Sequence, residues 1–214
     1  MLKLYFSPLA CSLATRISLY EAGADAEFVE VDPKTKRVLA DGRDYREVYD
    51  LGLVPALALE DGALLTENAA ILQYVAELYP QAQLAPRDAR GRAELQQWLC
   101  FIGTELHKAL YVPVLDRKLP EAVHAYALAK APSRLAWLAK RLEASDYLLD
   151  RFSVADAYLV TILNWSSAAP VDLKPYAAIG DYLKRMYARP AVARAIMDEK
   201  KLYARELARH ASIA

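Results

Sequence analysis

The chain has 214 residues, 55% hydrophobic and 25% charged, enough for one large core or two modest ones in an ordinary globular protein. Basic and acidic residues balance at 27 each and are interleaved, which argues against a nucleic-acid-binding face. No stretch approaches the about 18 consecutive apolar residues of a membrane span, and Cys11 and Cys100 are too few for a disulfide framework. The expected compartment is therefore the reducing cytoplasm.

In chain order, residues 2–6 alternate as a strand through Leu2, Leu4 and Phe6, and residues 12–22 then follow helical spacing up to Gly23. Between them, Pro8-Leu9-Ala10-Cys11 has the outline of a lipoprotein cleavage site. The apolar run before it is too short, and a basic leader segment is lacking. Residues 28–31 alternate again, and residues 41–50 are polar, irregular or briefly helical. Two short apolar runs, 55–59 and 63–65, flank Asp61-Gly62 and predict a hairpin. A helix then starts near Thr66 and carries Ala70, Ile71, Tyr74, Val75 and Leu78 on one side.

Up to Pro80 there are 7 basic and 13 acidic residues, a net of −6, and afterwards 20 against 14, a net of +6. Helical surfaces rich in Arg and Lys would give the same sums, but the shift coincides with a polar, proline-bounded stretch. It predicts a domain over 1–80, a linker over 81–87 and an all-helical domain over 88–214. In the last of these, Leu95, Trp98, Leu99, Ile102 and Leu106 recur at helical spacing, as do Leu135, Leu138 and Leu142. Pro132 predicts a kink or break, and Ser153-Val154-Ala155-Asp156 is a capping box.

The chemistry centres on Cys11. A cysteine at a strand-to-helix turn meets the unpartnered first N–H groups and the positive end of the helix dipole, and both favour a thiolate. The alternative is a small buried hydrophobe. No zinc-ligand spacing, phosphate-binding glycine loop or Ser-His-Asp arrangement is visible, so neither a metal nor a nucleotide cofactor is expected.

The element order, βαβ followed by ββα, matches a thioredoxin-like arrangement, and the chain resembles a glutathione transferase of the bacterial beta class. Tyr5, Ser7-Pro8, Cys11-Ser12-Leu13, Val54-Pro55-Ala56-Leu57, Leu65-Thr66-Glu67 and Ala70-Ile71-Leu72-Gln73-Tyr74 follow that pattern, as do Trp98-Leu99, Glu105-Leu106-His107-Lys108 and Phe152-Ser153-Val154-Ala155-Asp156-Ala157-Tyr158.

The resemblance implies a thioredoxin-like domain followed by a helical bundle, in a cytoplasmic homodimer that conjugates the thiol of glutathione to small hydrophobic electrophiles. By the same resemblance Cys11 and Ser12 are catalytic, with thiol-disulfide exchange or peroxide reduction through Cys11 as a further activity. Lys36, Val54, Pro55, Glu67 and Asn68 would bind glutathione, with Pro55 in the cis form and Val54 pairing along the tripeptide. The N-terminus of the helix after Thr66 suits the γ-glutamyl carboxylate, and Glu67 its ammonium. The plainer alternative makes Thr66 an N-cap. Tyr111, Trp165 and His107 would line the electrophile site, and Tyr5 would only pack.

Three departures stand out. Asn68 replaces a common Ser, Leu51 and Leu53 occupy positions where polar side chains are usual, and Cys100 stands where relatives often carry Asn, inert packing being expected for it. Two rival readings remain: a glutaredoxin-like disulfide reductase, and a non-catalytic transferase-fold binding or regulatory protein.

Overall fold

The computed structural model describes residues 1–211. The chain divides into two compact units, Met1–Ala82 together with the C-terminal helix, and Gln83–Arg189.

In the first unit β1 (Leu2–Phe6) leads through a tight turn into α1 (Leu13–Glu21), followed by β2 (Ala26–Glu30), β3 (Ala56–Ala58), β4 (Leu64–Thr66) and α2 (Asn68–Leu78). The sheet order is β2-β1-β3-β4, with β1 parallel to β2 and antiparallel to β3, and β3 antiparallel to β4. Strand alternation sorts β1 onto two faces. Leu2, Leu4 and Phe6 pack with Leu19, Leu57, Ile71 and Val75, whereas Tyr5 joins Val29, Val31, Tyr45 and Ala56 on the other side. Each fully buried aliphatic side chain there contributes about 1.5–3 kcal/mol. The β3–β4 connection is the expected hairpin, with Gly62 at φ 87°. The segment after β2 holds one short 3-10 turn, Tyr45–Glu47.

Helix α9 (Pro190–Ala211) completes this unit by packing on α1, and Leu202 adds to the sheet core. The sequence reading put these residues with the helical domain. Helical periodicity tells which face is apolar but not what covers it, and here the cover is α1.

The second unit holds α3 (Ala89–Phe101), π-helical turns over Ile102–Tyr111, α4 (Val112–Leu115), α5 (Glu121–Leu128), α6 (Ala131–Glu143), α7 (Val154–Asn164) and α8 (Ala177–Ala188). Helix α7 is buried on all sides from Val154 through Leu163, with Asp156 and Thr161 as polar exceptions in an apolar run. It packs on α3 and on the π-helical turns. That matches the rule that a helix hydrophobic all round is a core helix. Ser153 caps it: its hydroxyl accepts from Ala155 N–H at 3.3 Å, while Asp156 accepts the Ser153 N–H at 3.0 Å. The expected break falls at Lys130, with Pro132 in the first turn of α6, where its missing N–H costs nothing.

Candidate active site

The turn joining β1 to α1 is braced from within. Ser7 Oγ donates to Val31 O at 2.6 Å, Ser12 Oγ to Ser7 O at 3.3 Å, and Ala10 N–H to Ser7 O at 3.1 Å. Cys11 sits half-buried on this turn, and its Sγ donates to the carbonyl of Val54 at 3.3 Å. The Val54–Pro55 peptide is cis. From the start of α2, the Asn68 amide donates to Cys11 O at 3.0 Å and accepts from Thr15 Oγ1 at 3.2 Å. Three stretches far apart in sequence, around residues 11, 54 and 68, thus meet in one hydrogen-bonded set.

The other site residues of this unit differ in how they are held. Ser12 is fully buried, with its hydroxyl committed to Ser7, so it shapes the turn. Glu67 occupies the residue before α2 at φ 67° and makes no capping bond, and Thr66 ends β4 and does not cap the helix. Lys36 also has positive φ, 59°, and its side chain lies 3.6 Å from where a Cβ on Gly52 would stand. Lys34 and Arg37 beside it are exposed, while Lys36 is half-buried. Leu9, Lys36 and Glu67 are non-glycine residues in the left-handed region, a conformation that costs about 1 kcal/mol or more and gathers at working sites.

Sequence reasoning missed Glu199. On α9, its Oε2 accepts the Leu9 N–H at 2.7 Å, two residues before Cys11, and its Oε1 accepts from Arg16 Nε at 2.8 Å. Both side chains are buried, and the Arg16 guanidinium lies over the Phe6 and Phe28 rings at 4.3 and 4.0 Å. Burial pushes the Glu199 carboxyl up to about 7, against the opposing pull of Arg16 and the Leu9 N–H. The available signal was an acidic residue in register with the apolar Val192, Ala195 and Ile196, on a stripe that also carries the buried Glu206.

In the second unit His107, Tyr111 and Trp165 form a group of their own. His107 and Trp165 rings stand edge to face at 5.1 Å, Tyr111 and Trp165 at 6.3 Å. His107 Nδ1 pairs with the Tyr158 hydroxyl at 2.7 Å, and Tyr111 pairs with Ser166. Burial, helped by Lys108, lowers His107 to about 4, so the ring is neutral at pH 7. Burial raises Tyr111 to about 12 despite the Ser166 bond. Both residues sit on the π-helical turns, a backbone that regular spacing did not predict and that is frequent at functional sites.

Residues 5–83 match the family profile described as Glutathione S-transferase, N-terminal domain, and residues 98–190 match Glutathione S-transferase, C-terminal domain. The chain belongs to the glutathione S-transferase family. Glutathione S-transferase GstA of Escherichia coli O157:H7 is 40% identical over 200 residues, 92% of this chain and 98% of that protein. A sphingomonad glutathione S-transferase, solved with glutathione, is 42% identical with a TM-score of 0.88 over 92% of this chain and 98% of its own. A bacterial beta class transferase of Sphingomonas chungbukensis is 40% identical with a TM-score of 0.87, over 92% and 98% respectively.

Within the transferase fold, the remaining departures now have places. Tyr5 is buried against Tyr45, ring centroids 5.3 Å apart, and its hydroxyl accepts from Arg43 at 3.0 Å, consistent with packing. Cys100 is exposed, with Gln96 donating to its sulfur at 3.2 Å, which corrects the expectation of inert packing. It lies on the solvent side of α3, whose buried residues are Leu95, Trp98 and Leu99. Leu51 and Leu53 are 66% and 48% exposed, so neither is sequestered as core. The described residues include no group of three or more His, Cys, Asp or Glu arranged to hold a metal ion, and no helix long and apolar enough to cross a membrane.

Proposed function

We propose that the transferase binds glutathione along its first unit and that Cys11 is the thiol-site residue, in the manner of the beta class. The single observation that carries this reading is the hydrogen-bonded set of Cys11, Val54 and Asn68, which puts a half-buried thiol beside an extended backbone segment and the start of α2. The Val54 backbone would pair with the cysteinyl part of glutathione, and the first N–H groups of α2 would hold the γ-glutamyl carboxylate. Glu67, exposed and uncommitted to a cap, would take the ammonium. Lys36 would take the glycine carboxylate. Because both ends of the Asn68 amide are engaged, we assign it to holding the Cys11 turn against α2, and Ser12 to bracing that turn.

The reaction is attack by the glutathione thiolate on the electrophilic carbon of a small hydrophobic substrate, with departure of the leaving group. The protein orients and ionises the thiol. His107, Tyr111 and Trp165 are proposed to line the electrophile site, with His107 a neutral partner. The exposed leucines 51 and 53 support a homodimer, and the cysteine usage supports a cytoplasmic protein.

Calorimetry of glutathione binding to wild type and Glu67→Ala, followed by turnover of a chloronitrobenzene, tests the reading. Binding that weakens in the variant, with measurable wild-type turnover, supports it. No binding at millimolar glutathione refutes it and favours a binding protein of transferase fold. A second reading, disulfide reduction, is favoured by the partial exposure of Cys11. Cys11→Ala separates the two: a reductase loses all activity, and a conjugating enzyme keeps part of it.

A further inference from the structure

The far end of α9 carries two residues that the site as described leaves unused. Arg209 Nη2 pairs with Glu30 Oε1 at 2.7 Å, and His210 Nε2–H donates to Asp32 Oδ2 at 2.9 Å, across 178 positions of sequence. Arg209 Nε stands 3.9 Å from the same Asp32 oxygen, too far for a hydrogen bond. His210 therefore ties α9 to Asp32 by a hydrogen bond, and Arg209 adds a longer ion pair to the same oxygen.

Asp32 in turn builds the loop that follows β2. Its Oδ1 accepts the N–H groups of Lys34 and Thr35 at 3.0 and 2.9 Å, and its carbonyl accepts the Lys36 N–H at 3.0 Å. Its own N–H donates to Arg37 O at 2.9 Å. The product of these bonds is the left-handed conformation of Lys36, whose carbonyl then accepts the Tyr45 N–H at 2.8 Å. The two carboxylate oxygens divide the work: Oδ1 shapes the loop and Oδ2 anchors it to α9. Burial alone would raise the Asp32 carboxyl, but Thr35, His210 and Lys34 draw it down to about 2, so it is anionic throughout the working range.

We propose that His210 is a positioning residue for recognition of the glycine carboxylate of glutathione, acting through Asp32 on the loop that aims Lys36. The inference rests on the reading of Lys36 given above. A loop whose anchor is cut retains its Oδ1 bonds and its fold, but the backbone of Lys36 is no longer held to one place, and binding that depends on where its side chain starts weakens. The effect should fall on one end of one substrate, because the Cys11 turn and the start of α2 are held by other residues.

The test compares KM for glutathione with KM for its glycine monoethyl ester, which lacks that carboxylate charge, at saturating chloronitrobenzene. Wild type, His210→Ala, His210→Gln and Lys36→Met are measured. Wild type should prefer the free acid, and His210→Ala should raise KM for glutathione about fivefold or more while KM for the ester and kcat stay within about twofold. His210→Gln, which keeps a donor near the Nε2 position, should stay close to wild type. If His210→Ala changes both KM values equally, or neither, the inference is overturned, while selective loss in Lys36→Met leaves the reading of Lys36 standing. Equal KM values for acid and ester in wild type overturn that reading and the inference with it.

Discussion

Replacing Glu199 by Leu should be among the most damaging single changes in the first unit, and the reason is charge left behind. The Arg16 side chain is 5% exposed and Glu199 0%, so neither has access to water. Without Glu199 the guanidinium retains Nη1 to the Tyr20 hydroxyl at 3.3 Å and the faces of Phe6 and Phe28, while Nη2 already has no hydrogen-bond partner. Removing one member of a buried ion pair costs about 3–5 kcal/mol. The Leu9 N–H loses its carboxylate acceptor as well, at about 1–3 kcal/mol if nothing replaces it. These overlap, so a loss of about 3–5 kcal/mol is expected, a large part of the about 5–15 kcal/mol that holds a typical domain. Urea unfolding followed by circular dichroism, at fixed protein concentration and pH 8 to keep the Glu199 carboxyl ionised, measures it. The double variant Arg16→Met, Glu199→Leu decides the cause. With the cation gone, a methionine fits between two aromatic rings, and most of the lost stability should return. A single variant that loses less than about 1 kcal/mol, or a double variant as unstable as the sum of the singles, would refute an uncompensated buried charge as the cause.

Two further predictions concern the helical unit. Ser153→Ala removes the cap of α7 and should cost about 1 kcal/mol, seen as a lower urea midpoint with unchanged slope; a midpoint equal to wild type would mean that Asp156 alone holds the helix start. His107 has its folded value lowered from 6.5 to about 4, so the stability it contributes is present above pH 6.5 and is lost as pH falls through 4. Wild type should therefore lose about 3 kcal/mol more than His107→Gln between pH 7 and pH 4, and parallel pH profiles would contradict a buried neutral ring.

How much of this was readable in the sequence depends on the range of the interaction that sets each feature. The hairpin at Asp61-Gly62, the capping box at Ser153 and the break near Pro132 are written in adjacent residues, and each took its expected place. The Cys11 turn was legible for the same reason, since it is where an alternating run changes to a helical one. Asn68 was legible as a position but not as a role: nothing near it in sequence indicates that its amide joins Cys11 O to Thr15 Oγ1. The π-helical turns escaped because Leu99, Ile102 and Leu106 fit an ordinary helix equally well. The backbone departs from it where His107, Leu110 and Tyr111 are buried together.

The largest feature hidden from the sequence is α9, and charge shows why. The excess of acid before Pro80 looked like the mark of a boundary, and everything after it was assigned to a second domain. Helix α9 carries five basic residues and three acidic ones, and adding it to residues 1–80 reduces the imbalance from −6 to −4. Part of what the acids lacked was supplied from the other end of the chain, where Arg209 pairs with Glu30, while His210 adds a hydrogen bond to Asp32. The exchange also runs the other way, with Glu199 of α9 answering Arg16 of α1. A charge sum along the chain counts the Arg209–Glu30 and Arg16–Glu199 pairs as separated sign, when in the folded unit they are neutralised contacts. Two of the three pairs lead directly to site loops, Glu199 to the turn of Cys11 and His210 to the loop of Lys36. The last helix is thus a buttress of the first unit, and the residues that hold the Cys11 turn and the Lys36 loop are partly encoded more than 170 positions away from them.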